Sequence, residues 1–289
     1  MVSQDNVQLE KIHLSDMMKE TACETVYYKE VDGKKLRMLI VKPDDWKVDD
    51  NRTAIVWIHG GGFKSGNFSR PEIYLPQSHY FANRGVVSFD IQYRLITEPG
   101  VTTNNCVQDA KSAMRYIRMH SKEYGISPNK IVVVGESAGG YLATSLVTLS
   151  EINDPADDLS ISAVPDAVVN CNGVVDFVKW NVKGAASEEE IEKWRKLSPT
   201  HNIKSGLPPL LNLQGESDKT IKPEITIKFH QDYLVAGNKS EIVLWPDAKH
   251  GFLIIGYTAT EEQNVRAVNA IDSFLCSLQL IFGAPNLEI

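Results

Sequence analysis

The run IVVVGESAGGYLA, from Ile131 to Ala143, joins four β-branched residues to a helix-like stretch of small residues through a glycine-flanked serine. β-branched side chains favour a pleated strand, and a strand that enters a helix with no linker must turn sharply. Gly135 and Gly139 permit the close backbone approach that such a turn needs. At its apex Ser137 would project its hydroxyl above the C-terminal edge of a sheet. The competing reading is an ordinary serine in a glycine-rich junction, and the rest of the chain decides between them.

Around this junction the pattern alternates. Thr25 to Glu30 and Lys35 to Lys42 read as two strands joined by the Asp32-Gly33 turn, and Thr53 to Gly60 as a third. Leu75 to Gly85 is helix-like, Val86 to Tyr93 strand-like, and Cys106 to Tyr124 sets Ala110, Ala113, Met114 and Ile117 at helical spacing. Ala163 to Cys171, Leu210 to Leu213 and Glu241 to Trp245 are further strand candidates, with helices expected from Ser187, over Pro223 to Ala236 and over Glu261 to Leu280. Strands separated by helices indicate βαβ units and a largely parallel sheet covered on both faces.

A chain of 289 residues fits one domain, here 1–289, with Asp176 to Ile203 as a small insertion. With 43% hydrophobic and 23% charged residues it is expected to fold rather than remain disordered. A formal charge of -7 and scattered lysines and arginines argue against a nucleic-acid partner, and no 18-residue apolar run suggests a membrane span. Cys23, Cys106, Cys171 and Cys276 lie too far apart for a zinc site and too sparsely for a disulfide scaffold, and read mostly as buried thiols. The opening residues lack a basic start and an apolar segment, which makes cytoplasmic residence the default expectation, with a trimmed, secreted mature protein as the alternative. Acceptor-like triplets at Asn51, Asn67 and Asn238 do not bear on it.

A nucleophilic serine needs a base. His250, in PDAKHGF, falls on the loop after the strand-like Glu241 to Trp245 and before the last helix, a suitable place. His13 and His120 fall in expected helices, and His79, His201 and His230 read as structural or surface residues. The imidazole in turn needs an acceptor that fixes its tautomer. Asp218, in QGESDK after another strand, is preferred over Glu216 and over Asp247, which lies too close along the same loop. The order Ser137, Asp218, His250 is that of a nucleophile elbow on an open α/β sheet.

The glycine run HGGGF, His59 to Phe63, offers the electrophilic component: the amides of Gly61, Gly62 and Ala138 can surround an oxyanion. Phosphate binding competes, but neither GxxxxGK[ST] nor a full GxGxxG is present. His59 is assigned to shaping this loop.

Taken together, HGGGF, YRL at Tyr93 to Leu95, DAKSAMRYI at Asp109 to Ile117, YGISPNKIVVVGESAGG at Tyr124 to Gly140, GLPPLLNLQGESD at Gly206 to Asp218 and HGF at His250 to Phe252 resemble the α/β-hydrolase serine esterases. The likeness is strongest to the hormone-sensitive-lipase-like carboxylesterases and the acetyl and feruloyl esterase-like branch, and spans about residues 35–280. It implies an α/β-hydrolase fold with a mostly parallel sheet of about eight strands, one of them antiparallel near the N-terminus, and the triad Ser137, Asp218 and His250. The chain departs from the GDSAGG form of many such lipases in carrying Glu136. The short N-terminal extension and small 176–203 cap imply a modest, fairly open acyl site.

The expected activity is hydrolysis of small or short-chain acyl esters, including acetylated or acylated carbohydrates, through an acyl-enzyme and without metal or cofactor. Phe63, Tyr93, Trp180 and Trp245 are the candidates for a substrate face. The alternatives are a small amidase or peptidase with the same machinery, and a silent binding protein that retains the fold.

Overall fold

The Asp32-Gly33 pair reverses the chain with both residues at positive φ, 51° and 78°, as a two-residue hairpin turn requires. It joins β1 (Glu24–Val31) to β2 (Lys34–Val41) in an antiparallel ladder. The structure is a computed structural model that describes residues 11–64, 69–181 and 186–289. The first ten residues, which carry the expectation about a leader, and Asn67 lie outside the described residues, as do 182–185 of the expected insertion.

The remaining sheet strands are β3 (Arg52–Ile58), β4 (Val87–Ile91), β5 (Ile126–Glu136), β6 (Ala167–Cys171), β7 (Leu210–Gly215) and β8 (Ser240–Trp245). The eight strands lie in the order β1-β2-β4-β3-β5-β6-β7-β8. β2 runs antiparallel to both its neighbours, and every pairing from β4 to β8 is parallel.

Side chains leave the central strands alternately toward two separate cores. On β5, Ile131 and Val133 join one core while Val132 and Val134 join the other. The first core is closed by α2 (Thr103–Met119), α3 (Ala138–Thr148) and α6 (Pro223–Val235), through residues such as Met114, Leu142 and Phe229. The second is closed by α1 (Leu75–Asn83) and α7 (Glu261–Ser277), through Phe81, Val268 and Ile271. β4, β6 and β7 are buried along their whole lengths, as expected of strands covered on both faces. These are the layers of the α/β-hydrolase fold.

The differences from the sequence reading are local. β5 starts at Ile126, not Ile131, because the stretch through Pro128 pairs with β3 only at Ile126 before the register shifts. β6 starts at Ala167, after Pro165, which has no N–H to donate to a ladder. His13 is not helical but sits in a two-residue strand paired with Leu287–Glu288. The four cysteines are free; Cys106 and Cys171 are buried, whereas Cys23 is exposed.

The 176–203 segment forms α4 (Phe177–Asn181), α5 (Glu188–Leu197) and a 3-10 turn at Pro199–Asn202. Ser187 and Glu190 close a capping box at the start of α5. α5 buries none of its residues fully, while Trp194 and Leu197 rest on the first core. No described helix is long and apolar enough to cross a membrane.

Candidate active site

Ser137 links β5 to α3 with φ 56° and ψ -117°, a conformation that strains any residue with a Cβ. The surroundings hold it there. Its N–H donates to Cys171 O at 2.9 Å, and its carbonyl accepts from Tyr141 N at 3.0 Å. The flanking glycines are demanded by packing: a Cβ on Gly139 would lie 1.9 Å from Ile58 O, and one on Gly135 would lie 2.1 Å from Gly139 O. The strand-to-helix turn therefore closes against β3 with no room for side chains.

His250 lies on the loop after β8, with Nε2 2.9 Å from Ser137 Oγ and Nδ1 2.8 Å from Asp218 Oδ2. Asp218 is on the loop after β7, and its carboxylate has no exposed surface. Its Oδ1 accepts from the N–H groups of Thr220 at 2.8 Å and Ile221 at 2.9 Å, and Gln214 Nε2 reaches Oδ2 at 3.3 Å. Three strand-end loops thus bring Ser137, His250 and Asp218 into one hydrogen-bonded chain. In this arrangement the imidazole can take the hydroxyl proton and the carboxylate can stabilise the cation. The rival carboxylates stand elsewhere: Asp247 binds Gln263 and Arg266, and Glu216 is exposed.

Gly61, Gly62 and Ala138 line a cavity of about 260 Å³ together with Ser137 and His250. Ala138 opens α3, so its N–H has no acceptor within the helix. The HGGGF loop is tied down from beneath. Tyr93 Oη donates to His59 O at 2.9 Å and Gly60 O at 3.2 Å, and its ring stacks on the His59 imidazole at 4.2 Å between centroids. His59 is 1% exposed, and its Nδ1–H donates to Gly60 O at 3.0 Å. Burial pushes its pKa down to about 4, so the ring is neutral and supports the loop without charge.

Of the aromatic candidates, Phe63 and Trp180 line the cavity. Phe63 packs edge-on to Tyr141, and Tyr141 in turn to Phe177. The other two candidates do not line the cavity. Tyr93 is 1% exposed and faces the underside of the loop, because its hydroxyl finds backbone acceptors there. Trp245 packs edge-on to Phe252, 5.1 Å away, and does not line the cavity. Sequence reasoning missed Val174, Ile221, Ile254 and Tyr257, which also line the cavity. Ile221 and Ile254 stand just beyond Asp218 and His250, and that spacing was the one available signal. Among the described residues there is no cluster of side chains that could hold a metal ion.

Residues 40–233 match the BD-FAE family. The chain is 26% identical over 226 residues to an acetylxylan esterase of Xylanibacter ruminicola, covering 76% of this chain and 44% of that protein. It is 28% identical over 188 residues to carboxylesterase NlhH of Mycobacterium tuberculosis, covering 59% of this chain and 58% of that one. The chain thus spans about half the length of these curated relatives. Among solved structures, apo esterase 2 of Thermogutta terrifontis superposes with a TM-score of 0.82 at 35% identity, covering 90% of this chain and 96% of that one. That esterase has also been solved with propionate and with butyrate bound.

Proposed function

The chain belongs to the BD-FAE family, and from that premise we propose that it is a serine carboxylesterase of small acyl esters, working through an acyl-enzyme on Ser137. The observation that carries this reading is the hydrogen-bonded chain from Ser137 through His250 to Asp218, opening on a cavity of about 260 Å³.

In the proposed mechanism His250 Nε2 takes the Ser137 proton as Oγ attacks the ester carbonyl. The negative charge that develops on the carbonyl oxygen is received by the amides of Gly61, Gly62 and Ala138. The tetrahedral adduct collapses, Nε2–H protonates the leaving alcohol, and the acyl group stays on Oγ. Water then gives a proton to Nε2 and attacks the acyl carbon. The second collapse returns that proton to Oγ and releases the acid. Asp218 accepts from Nδ1–H throughout and stabilises each transient imidazolium.

Two features support a short acyl chain. The cavity lies just below the usual range of about 300–1,000 Å³ for ligand sites. The related Thermogutta esterase also takes up propionate and butyrate. Likeness to an acetylxylan esterase favours an acetylated carbohydrate as one natural ester. Kinetics with acetyl, butyryl, longer acyl, acetylated-sugar and feruloyl esters, alongside matched amides, test the reading. Acetyl and butyryl esters are expected to have the highest kcat/KM. Faster turnover of the amides would replace it with the amidase alternative.

A further inference from the structure

Glu136 immediately precedes Ser137, is 0% exposed and is unused in the steps above. Burial pushes its carboxyl above the usual range, while hydrogen bonds and the neighbouring His250 act the other way. Each hydrogen-bond partner donates to it. Oε1 accepts from Leu253 N at 2.9 Å and Asn172 Nδ2 at 3.3 Å, and Oε2 accepts from Tyr74 Oη at 3.4 Å. A buried group met by three donors is suited to carry negative charge.

These contacts join the two halves of the site. Leu253 is the third residue after His250, so its bond to Glu136 ties the histidine loop to the turn that carries Ser137. The same loop is held by Gln77 Nε2 on Leu253 O at 2.8 Å and by Asn264 Nδ2 on Phe252 O at 2.6 Å, both uncharged. Asn172 follows β6 at φ 40°, a strained conformation kept where the surroundings over-determine it. The titratable groups packed around Glu136 are Tyr74, Cys171 and His250. Burial holds the phenol and the thiol far above their ordinary ranges, so both are neutral. His250 faces Asp218 from the β7 loop and Glu136 from β5, with the Tyr257 ring against Gly251.

We propose that Glu136 is a positioning residue of the reaction, whose carboxylate clamps the His250 loop to the Ser137 turn and sets a second negative charge beside the imidazolium. The proposal rests on the serine-esterase reading. It asks for geometry in the ground state and for charge only when His250 is protonated.

The test measures kcat, KM and the pH profile of kcat/KM with a short-chain p-nitrophenyl ester for wild type, Glu136→Gln, Asn172→Gly and Ser137→Ala. Glu136→Gln keeps the size and removes the charge. It is expected to lower kcat by roughly 10- to 100-fold with KM nearly unchanged, as a small misplacement of a reacting group does. The acid limb of its profile should move to lower pH, a change that loss of packing alone would not produce. Should Glu136→Gln fail to fold, Asn172→Gly decides, since glycine accepts φ 40° and removes one donor. A several-fold fall in kcat supports the clamp; wild-type kcat overturns it. Wild-type kcat and an unmoved acid limb in Glu136→Gln overturn the proposal while Ser137→Ala remains inactive. Full turnover by Ser137→Ala would instead remove the esterase reading on which it rests.

Discussion

Asp218 Oδ2 stands 2.8 Å from His250 Nδ1, while the other oxygen of the same carboxylate is held by the amides of Thr220 and Ile221. The carboxylate therefore cannot swing away, and the imidazole is held with Nε2 toward Ser137. Asp218→Asn offers an amide where the ring needs an acceptor and should lower kcat by roughly 10³- to 10⁴-fold. Asp247, 56% exposed and paired with Arg266, should tolerate the same change with kcat within about twofold of wild type. Steady-state kinetics of the two variants check the assignment. Equal losses would mean that another acid serves the histidine.

The glycines of the elbow make a prediction about stability. Gly139→Ala would set a methyl 1.9 Å from Ile58 O, and the backbone of β3 is not free to retreat. A loss of about 3 kcal/mol or more in denaturant unfolding is expected. Gly62→Ala meets no atom within 4 Å and carries only the strain of φ +62°. Its expected loss is about 1 to 2 kcal/mol.

Trp180 forms part of the cavity wall and rests edge-on against Phe177. Trp180→Ala should enlarge the cavity. The ratio of kcat/KM for an octanoyl over an acetyl ester is expected to rise roughly 10-fold, the scale of hydrophobic discrimination in a pocket. An unchanged ratio would show that other residues limit chain length.

His59 links the site to the pH dependence of folding. Its pKa is pushed down to about 4 by burial, against an ordinary value of 6.5. Between those values the unfolded chain binds a proton that the folded chain does not, so stability rises with pH through this window and falls on acidification. The contribution present above pH 6.5 and lost near pH 4 is about 3 kcal/mol. His59→Asn removes this dependence. The difference in Tm between wild type and variant should therefore shrink as pH falls from about 7 to about 4.5. A constant difference would contradict a buried neutral imidazole.

How far the sequence reached is clearest at particular residues. Ser137, Asp218 and His250 were legible because each follows a strand-like run, and a parallel sheet brings such ends to one edge. The glycines were legible for the same reason: a strand that becomes a helix without a linker needs small residues. The orientations of Tyr93 and Trp245 were not legible, because an aromatic near a motif carries no sign of which way it faces. Tyr93 turns inward to meet backbone carbonyls that no side-chain pattern records. The Glu136 clamp joins residues over 100 positions apart, and only the folded loop shows that Leu253 N–H needs that carboxylate.

The central claim is that Ser137 is the nucleophile of an esterase, and trapping the acyl-enzyme tests it most directly. Wild-type protein mixed with p-nitrophenyl butyrate and quenched in acid should carry one added butyryl group, mapped by mass spectrometry to the peptide containing Ser137. Ser137→Ala should fold, carry no adduct and lose turnover. An adduct on another residue, or continued turnover by Ser137→Ala, would contradict the account.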